Sequence, residues 1–428
     1  MCGLSNVYKR WYMKTLNKSS TPLKPVKLCI SFILLLVPII FSCSQDPIFY
    51  NLSMEDEPKD PRIAGRPASM AVVVNSPDNR MYTGTIAGKK IHYYTNTGWK
   101  TAISIPQGSL GDLAAIDEDL YVLVFPGSDP SKSTALKKYD GVKWEDIDTS
   151  ELSDDGYRIQ NLFSAGGKIY AGAMKSSSSS TTYAILCYDP GDPPDTPSAT
   201  TVKKDLSSLL KGVAEATDGI YLAMSRAGVY KISLSLNDMV YVPDVSGDLP
   251  DASGKGSYGN IIGIIETGGI IIAVSNDGKI YQIDGGVMSE PITAAGSNFT
   301  GAMCVWRSYE SGYTDSNPVY NNWKPTLLLL GTRSKNDSQN FGYLEMILAA
   351  GGAPTEELKT PGEEDKPTSA PMKRAKYQAS IAKHPIESFA QPVELFSSDP
   401  DVEYVPLFAA TAQSGLWVCK NGAWTAQE

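Results

Sequence analysis

The chain is poor in histidine, the residue that most often serves acid–base and metal chemistry, with His92 and His384 as its two copies among 428 residues. Neither has Cys, Asp or Glu at the spacing of a metal site, and a shared site would have to join opposite ends of the chain. The nucleophile elbow G-x-S-x-G, the P-loop, the dinucleotide-binding fingerprint and H-E-x-x-H are missing. We therefore predict no catalytic residue, no metal and no cofactor.

Cysteine is equally scarce, with six copies and no C-x-x-C pair. Cys187, Cys304 and Cys419 are widely spaced single residues within apolar, strand-like runs. This spacing does not describe a disulfide framework, and at most one disulfide could form among the three. We expect buried thiols at these positions.

Acidic residues are missing from the first 42 residues, which carry six Lys or Arg and then an apolar run from Leu28 to Phe41. This run has 14 residues, whereas a membrane-spanning helix needs roughly 20. A basic segment followed by a short apolar segment is typical of an export signal. Met13 begins a basic segment of more ordinary length than Met1 does, so either methionine could be the start.

The apolar run ends in Ile40-Phe41-Ser42-Cys43, which resembles a lipobox, the cleavage site of bacterial lipoprotein precursors. The resemblance implies removal of residues 1–42, acylation of Cys43 and anchoring in a bilayer, with the outer membrane favoured over the inner. Acyl chains of this kind hold a protein stably without help from its surface. The alternative is an ordinary Cys43 after a standard signal peptide, although no A-x-A-like site stands nearby.

Residues 43–67 are rich in proline and acidic side chains, and we predict a flexible tether there. Without residues 1–42 the chain keeps 32 basic against 47 acidic residues, a net charge of −15. Such a charge argues against nucleic acid as a partner, because that partner requires phosphate neutralisation.

Residues 68–428 contain a repeated β unit whose second strand usually begins with an aliphatic and an aromatic residue followed by small ones. The seven copies are MYTGT at 81–85, LYVLV at 120–124, IYAGA at 169–173, IYLAM at 220–224, IIIAV at 270–274, LLLLGT at 327–332 and LFAAT at 407–411. A third strand follows each copy, and three units then place a tryptophan after an Asn/Asp–Gly turn. The predicted structural aromatics are Tyr82, Tyr121, Tyr170, Tyr221, Trp99, Trp144 and Trp424.

Seven four-stranded units predict an all-β fold, a seven-bladed β-propeller of antiparallel blades. A pair of β-sandwiches or an open solenoid is the alternative. The repeats resemble degenerate propeller families such as the kelch and two-component-regulator types, without the kelch Gly-Gly or the Trp-Asp of WD40 repeats. No strand is shared between the two ends of the chain, so we expect the ring to close by packing alone.

Three insertions interrupt the repeat, and the first, the Ser-rich Lys175–Thr182 between strands two and three of unit three, predicts a mobile hairpin tip. Residues 306–325 lengthen the first loop of unit six, and we predict an exposed partner-contact loop or, alternatively, a cap on the blade. Its aromatics are Trp306, Tyr309, Tyr313, Tyr320 and Trp323. Residues 351–385 mix Pro, Glu and Lys, which predicts a disordered excursion.

Two acidic clusters, Asp154-Asp155 and Asp189 to Asp195, are candidates for oxygen ligands. The second could hold calcium, but it lacks the Gly and Glu of an EF-hand loop, so a solvated turn is favoured.

These observations favour a monomeric, lipid-anchored envelope protein that acts as a non-catalytic binding scaffold for a protein or glycan partner. The alternatives are a carbohydrate-active hydrolase or lyase, with two carboxylates drawn from distant blades, and an envelope assembly factor.

Overall fold

A computed structural model describes much of the chain from Ile63 onward. The described residues are 63, 65–74, 79–126, 134–191, 198–232, 239–243, 260–294, 297–317, 320–334, 342–359, 381, 385–396, 405–412, 414–420 and 423–427. Within them, no helix is long and apolar enough to cross a membrane. The predicted export signal, Cys43, most of the predicted tether and His384 lie outside the described residues.

The strands form seven antiparallel sheets of four or five strands, numbered here as blades one to seven in chain order. Within each blade the first four strands pair in sequence order, so each blade contains a four-stranded meander. The first strands are β1 (Ala71–Val73), β6 (Ser109–Ile116), β10 (Arg158–Ala165), β14 (Leu210–Ala216), β18 (Ile261–Thr267), β23 (Ser297–Tyr309) and β27 (Ile386–Ala390). The second strands are β2 (Arg80–Thr83), β7 (Asp119–Phe125), β11 (Lys168–Ser176), β15 (Gly219–Met224), β19 (Ile270–Ser275), β24 (Trp323–Ser334) and β28 (Leu407–Thr411).

The outer half of each blade completes the sheet. The third strands are β3 (Lys90–Thr95), β8 (Ala135–Tyr139), β12 (Thr181–Tyr188), β16 (Gly228–Ile232), β20 (Lys279–Asp284), β25 (Tyr343–Leu348) and β29 (Leu416–Lys420). The fourth strands are β4 (Gly98–Trp99), β9 (Trp144–Ile147), β13 (Thr200–Leu206), β17 (Met239–Tyr241), β21 (Val287–Met288), β26 (Pro354–Lys359) and β30 (Ala423–Ala426). Blades one and five add the short strands β5 (Ile103–Ser104) and β22 (Ile292–Thr293).

The first strand of each blade packs beside the first strand of the next, from β1 through β27. The chain is therefore a seven-bladed β-propeller, and the first strands line its axis. All seven predicted second strands lie on observed second strands, so the repeat is confirmed. The described residues also include one turn of α-helix, α1 (Ser150–Ser153), and a 3-10 turn at Val393–Phe396.

Seven buried apolar clusters fill the ring, one at each junction between neighbouring blades. The four repeat tyrosines lie in these junctions, and each packs against the blade that follows its own. Tyr82, Tyr121, Tyr170 and Tyr221 are all buried. An aromatic ring of this size fills a wedge between two sheets, which explains its recurrence on the second strand.

The predicted tryptophans occupy two kinds of position on the fourth strands. Trp99 and Trp144 are half-buried and pack on third-strand tyrosines, with ring centroids 5.3 Å from Tyr94 and 4.8 Å from Tyr139. Trp424 is buried, and its ring lies 5.9 Å from that of Tyr343. Trp99 and Trp144 therefore join the outer strands of their own blades, whereas Trp424 joins blade seven to blade six.

The ring closes without a shared strand, as expected, but packing does not act alone. The junction of blades seven and one contains Tyr94 edge-on to Phe408 at 5.0 Å, and Trp99 Nε1 donates to Gln427 Oε1 at 3.0 Å. The backbone before blade one also bonds to blade seven, because Gly415 N donates to Gly65 O at 2.8 Å and Leu416 N to Ile63 O at 3.2 Å.

Two sequence-based boundaries need correction. Ile63 is buried and Pro67 pairs with Thr85, so the last residues of the predicted tether belong to the propeller. β26 lies within the predicted excursion 351–385, and Ile381 is buried between blades six and seven. The described part of this segment therefore continues blade six to residue 359, while residues 360–380 and 382–384 lie outside the description.

Candidate functional site

Blade six departs most from the repeat, because its first two strands have 13 and 12 residues. The pairing runs to Tyr309 opposite Trp323, and Glu310 N donates to Asn322 O at 2.8 Å. We call residues 306–325 the blade-six extension. It projects from the downstream face of the ring, defined as the face at which the first strands end.

The extension does not expose all the aromatics assigned to it. Trp306 and Trp323 lie on the paired strands and are 2% exposed, so the expectation of an exposed loop is wrong for both. Tyr309, Tyr313 and Tyr320 are half-buried, and Tyr309 meets Trp323 edge-on at 5.6 Å. The two tryptophans cap the blade, which was the alternative reading, and three tyrosines keep part of their surface in solvent.

A polar network holds the extension in place. The Arg307 guanidinium lies 3.9 Å from the centre of the Tyr320 ring, and Arg307 Nη1 donates to Trp323 O at 3.2 Å. Arg307 also lies 3.6 Å from Asp315, in the turn of the extension. A cation over an aromatic face contributes roughly 0.5–2 kcal/mol, so these contacts stiffen the hairpin from within.

Blades seven and one brace the same network from outside. The Gln391 side chain accepts from Arg307 N at 2.7 Å and donates to Arg307 O at 2.8 Å. The Tyr320 hydroxyl donates to Glu394 Oε1 at 3.0 Å, and Asn79 Nδ2 of blade one donates to the Glu394 carbonyl. Sequence reasoning missed Gln391 and Glu394, because no local pattern links them to residues about 80 positions earlier.

Burial raises the pKa of Glu394, and the Tyr320 hydrogen bond and the Arg307 charge oppose this only in part. Burial is also the main reason why the pKa of the Tyr320 hydroxyl is raised, and the negative charge of Glu394 raises it further. The pair therefore favours a protonated tyrosine that donates to a carboxyl group, which is a structural arrangement more than a reactive one.

The opposite, upstream face is the face at which the first strands begin, and it carries a ring of β-bulges. In five blades one extra residue interrupts the pairing of the first and second strands at the same register position. These residues are Gly111, Gln160, Lys211, Ile262 and Glu387. Bulges re-aim side chains and recur near functional sites, so this ring is a second candidate region.

In blades two and three the residue after the bulge joins its blade to the next one. Asp112 accepts from Leu162 N of blade three and from Leu113 N, both at 2.9 Å. Asn161 Nδ2 donates to Leu210 O of blade four at 2.8 Å. Burial raises the pKa of Asp112, and its hydrogen bonds from Leu162, Ser69 and Leu113 oppose that shift.

A cavity of about 240 Å³ opens against the first strands of blades one, two and three. Its lining is mostly apolar or small and includes Met70, Val72, Ala115, Leu162 and Phe163. This volume lies just below the roughly 300–1,000 Å³ of typical small-molecule pockets, so only a small ligand or the end of a larger one fits.

The remaining predicted ligand residues have structural surroundings. Among the described residues, no group of three or more His, Cys, Asp or Glu could hold a metal ion. His92 lies half-buried on β3 opposite Thr83. Asp155 pairs with Lys204 at 2.6 Å and Asp189 with Lys168 at 2.7 Å, and these hydrogen bonds lower the pKa of each carboxyl.

The other candidate residues are the remaining acidic side chains and the three cysteines. Asp154 is exposed at the end of α1, while Asp192 and Asp195 lie outside the described residues. Cys187 and Cys419 are buried and Cys304 is half-buried, and no disulfide joins any two of the three. Burial raises the pKa of the Cys304 thiol to about 12, which disfavours a reactive thiolate.

No family model matches the chain, and no curated protein matches it. Solved structures with a similar arrangement include YCF48 bound to D1 peptide, at 8% identity and TM-score 0.48 over 88% of this chain and 97% of that one. The WD40 β-propeller domain of Doa1 matches at 11% identity and TM-score 0.47 over 85% and 95%. Sqt1 from Chaetomium thermophilum matches at 11% identity and TM-score 0.46 over 86% of both chains. At this level the propeller assignment rests on the strand pairing of the chain itself.

Proposed function

We propose that this chain is a bacterial lipoprotein that presents its propeller as a non-catalytic binding scaffold in the cell envelope, with the blade-six extension as the surface that contacts a protein partner. The observation that carries the proposal is the bracing of this extension by Gln391, Glu394 and Asn79 from two other blades. A preorganised surface loses little conformational entropy on binding, which favours affinity.

The exposed part of the extension has the composition of a protein-contact surface. Tyr309, Tyr313 and Tyr320 offer stiff, amphipathic area beside Arg307 and Asp315, which supply charge of both signs. Tyrosine and arginine are enriched at protein interfaces because they combine large apolar contact with hydrogen bonding. These features support a protein partner over a glycan.

The anchor in this proposal rests on the sequence alone. The lipobox-like Ile40-Phe41-Ser42-Cys43 supports acylation at Cys43 and release of residues 1–42. Ser44 after the cysteine supports sorting to the outer membrane. We propose a single propeller body per anchor.

Site-specific photocrosslinking in living cells tests the contact surface. A photoreactive phenylalanine analogue replaces Tyr313, and in a matched control it replaces Val142, which is 89% exposed on a hairpin tip of blade two. We expect a discrete crosslinked protein band from position 313 and no such band from position 142. Equal crosslinking from both positions, or none from position 313, would contradict the assigned surface.

The anchor is tested separately by the Cys43→Ser variant. We expect the wild-type protein to incorporate an alkyne-tagged fatty acid and to fractionate with membranes, and the variant to do neither. A variant that still carries the label would show that Cys43 is not the acylated residue. Turnover of a glycan panel by the purified protein would instead favour the carbohydrate-active alternative.

A further inference from the structure

The upstream end of the axis carries charge that the proposed scaffold function does not use. Three of the five bulge residues are polar, namely Gln160, Lys211 and Glu387, on blades three, four and seven. Because the bulges share one register position on strands that line the axis, these side chains belong to one level of the ring. The blade-six extension lies at the other end of the first strands.

Lys211 is the charged residue at this level without a partner. It is half-buried at the beginning of β14, and it forms neither an ion pair nor a hydrogen bond with any described residue. Burial lowers the pKa of Lys211, and the positive charge of Arg66 lowers it further. Lys211 and Glu387 share the bulge position on blades four and seven, and Arg66 pairs with Glu387, so the two cations belong to the same level of the ring.

Arg66 reaches this level from the segment before blade one. Its Nε lies 2.7 Å from Glu387 Oε2, and this pair is partly exposed to solvent. Glu387 neutralises one of the two cations, so Arg66, Glu387 and Lys211 together carry one net positive charge. A lysine held half-buried beside a second cation gains free energy when an anion approaches, because the anion relieves both the repulsion and the lost hydration.

The cavity against blades one to three begins at Ser69, three residues after Arg66. Its lining by Met70, Val72, Ala115 and Phe163 suits an apolar stem. Ala114 and Phe163 of the lining have the register position of Ala214, and Lys211 lies three residues before Ala214. The cations therefore belong to a level of the ring upstream of the apolar wall, and together the two levels suit a molecule with a negative end and an apolar stem.

We propose that the upstream end of the axis binds a carboxylate attached to a slender apolar stem, with Lys211 and Arg66 holding the carboxylate and the cavity of blades one to three receiving the stem. This site is separate from the protein-contact surface on the blade-six extension. Its ligand is a small molecule of this class or a chain end that presents the same groups.

The purified protein is titrated with hexanoate, 1-hexanol and hexylamine by isothermal titration calorimetry. These probes share the apolar stem and differ in charge. We expect hexanoate to bind at least roughly tenfold more tightly than either other probe, the contribution of a charge-assisted contact. Equal binding of hexanoate and hexanol, or no binding of hexanoate at millimolar concentration, would overturn the proposal.

Lys211→Met removes the charge and keeps an unbranched side chain, and Lys203→Met is its control on the exposed strand β13. We expect the first variant to weaken hexanoate binding at least roughly tenfold and the second to leave it unchanged. Unchanged binding by Lys211→Met would contradict the site. If that variant unfolds, as judged by its circular dichroism spectrum, Arg66→Gln and the comparison of probes on the wild type decide the question.

Discussion

Two parts of the ring join neighbouring blades through different kinds of contact. At the register position after the bulge, blades two and three carry Asp112 and Asn161, whose side chains bond to the backbone of the following blade. Blades four and five carry Gly212 and Gly263 at the same position, and the backbones approach directly. A Cβ on Gly263 would lie 2.5 Å from Gly301 O of blade six, and one on Gly212 would lie 2.9 Å from Ile264 Cγ2 of blade five.

The repeat therefore keeps its geometry while the chemistry of the contact between blades changes. We call this contact, made by the residue after the bulge, the joint. A polar side chain spans a wider gap and is specific, because its loss leaves buried backbone groups without partners. A glycine contact needs no partner but tolerates no side chain. The two kinds of joint should therefore fail in different ways when they are mutated.

The largest effect is expected at the glycine joint. Gly263→Ala forces a methyl group against a carbonyl oxygen of the next backbone, so we expect a loss of about 3 kcal/mol in the free energy of unfolding. Urea denaturation measures this loss. Gly191→Ala serves as the control, since Gly191 is exposed and the nearest atom to its added Cβ is a flexible side-chain oxygen at 3.3 Å. Equal stability of the two variants would refute a tight joint.

The polar joint at blade two comes next. Asp112→Ala removes the acceptor of Leu113 N and Leu162 N, and buried donors without acceptors destabilise the fold, here by about 2 kcal/mol. Asp112→Asn retains one acceptor oxygen and should lose less. Urea denaturation ranks the three proteins, and an Asn variant as unstable as the Ala variant would contradict this account.

Asn161→Ala should have a smaller effect of about 1 kcal/mol, because a single hydrogen bond to Leu210 O is lost. Gln160→Ala, one residue earlier, is the matched control, as its Nε2 bonds locally to Arg158 O at 3.2 Å. Thermal unfolding of both variants makes the comparison. A larger loss from Gln160→Ala would place the joint at the bulge itself.

The smallest effect is a pH dependence confined to the polar joint. The pKa of Asp112 is raised in the folded state, whereas an unfolded Asp titrates near 3.9. Between these two values the folded state binds more protons, so this group's contribution to stability falls as pH rises above about 4 and is constant above the folded pKa. The wild type should therefore exceed Asp112→Asn most near pH 4 and less at neutral pH.

Urea denaturation of both proteins from pH 4 to 8 measures this difference, in which the contribution of Glu394 cancels. A difference that grows toward neutral pH would reverse the sign of the assigned shift. Gly263→Ala, compared with the wild type in the same way, should show no such dependence, since its joint contains no titratable group.

The sequence predicted the parts of this fold that depend on near neighbours. Each second strand combines a short continuous apolar run with an adjoining turn, and both signals are local, so the seven blades could be identified. Trp306 was misplaced although Ala302, Cys304 and Trp306 continue the alternation of the first strand. Its Tyr, Gly and Asn neighbours favour a loop, and only pairing with Leu327 shows that the strand continues.

The bulge positions could not be predicted for a related reason. Lys211 is the one basic residue in the run LLKGVAEA, which signals a departure from the strand pattern but not its direction. The bulge exists only relative to Leu210 and Gly212 pairing with Met224 and Ala223. The contact of Arg66 with Glu387 depends on the closed ring, and that of Arg307 with Gln391 depends on the packing of blade six on blade seven, so no short sequence window contains either.

The backbone bonds from Ile63 and Gly65 to blade seven have a mechanical consequence. A pull applied upstream of Ile63 does not reach β1 first, because the hydrogen bonds to Leu416 and Gly415 carry part of the load into the last blade. Tension is therefore divided across the seam at which the ring could open. A propeller held in this way resists unzipping from its first strand, and it should yield as a whole ring when stretched from its N-terminal side.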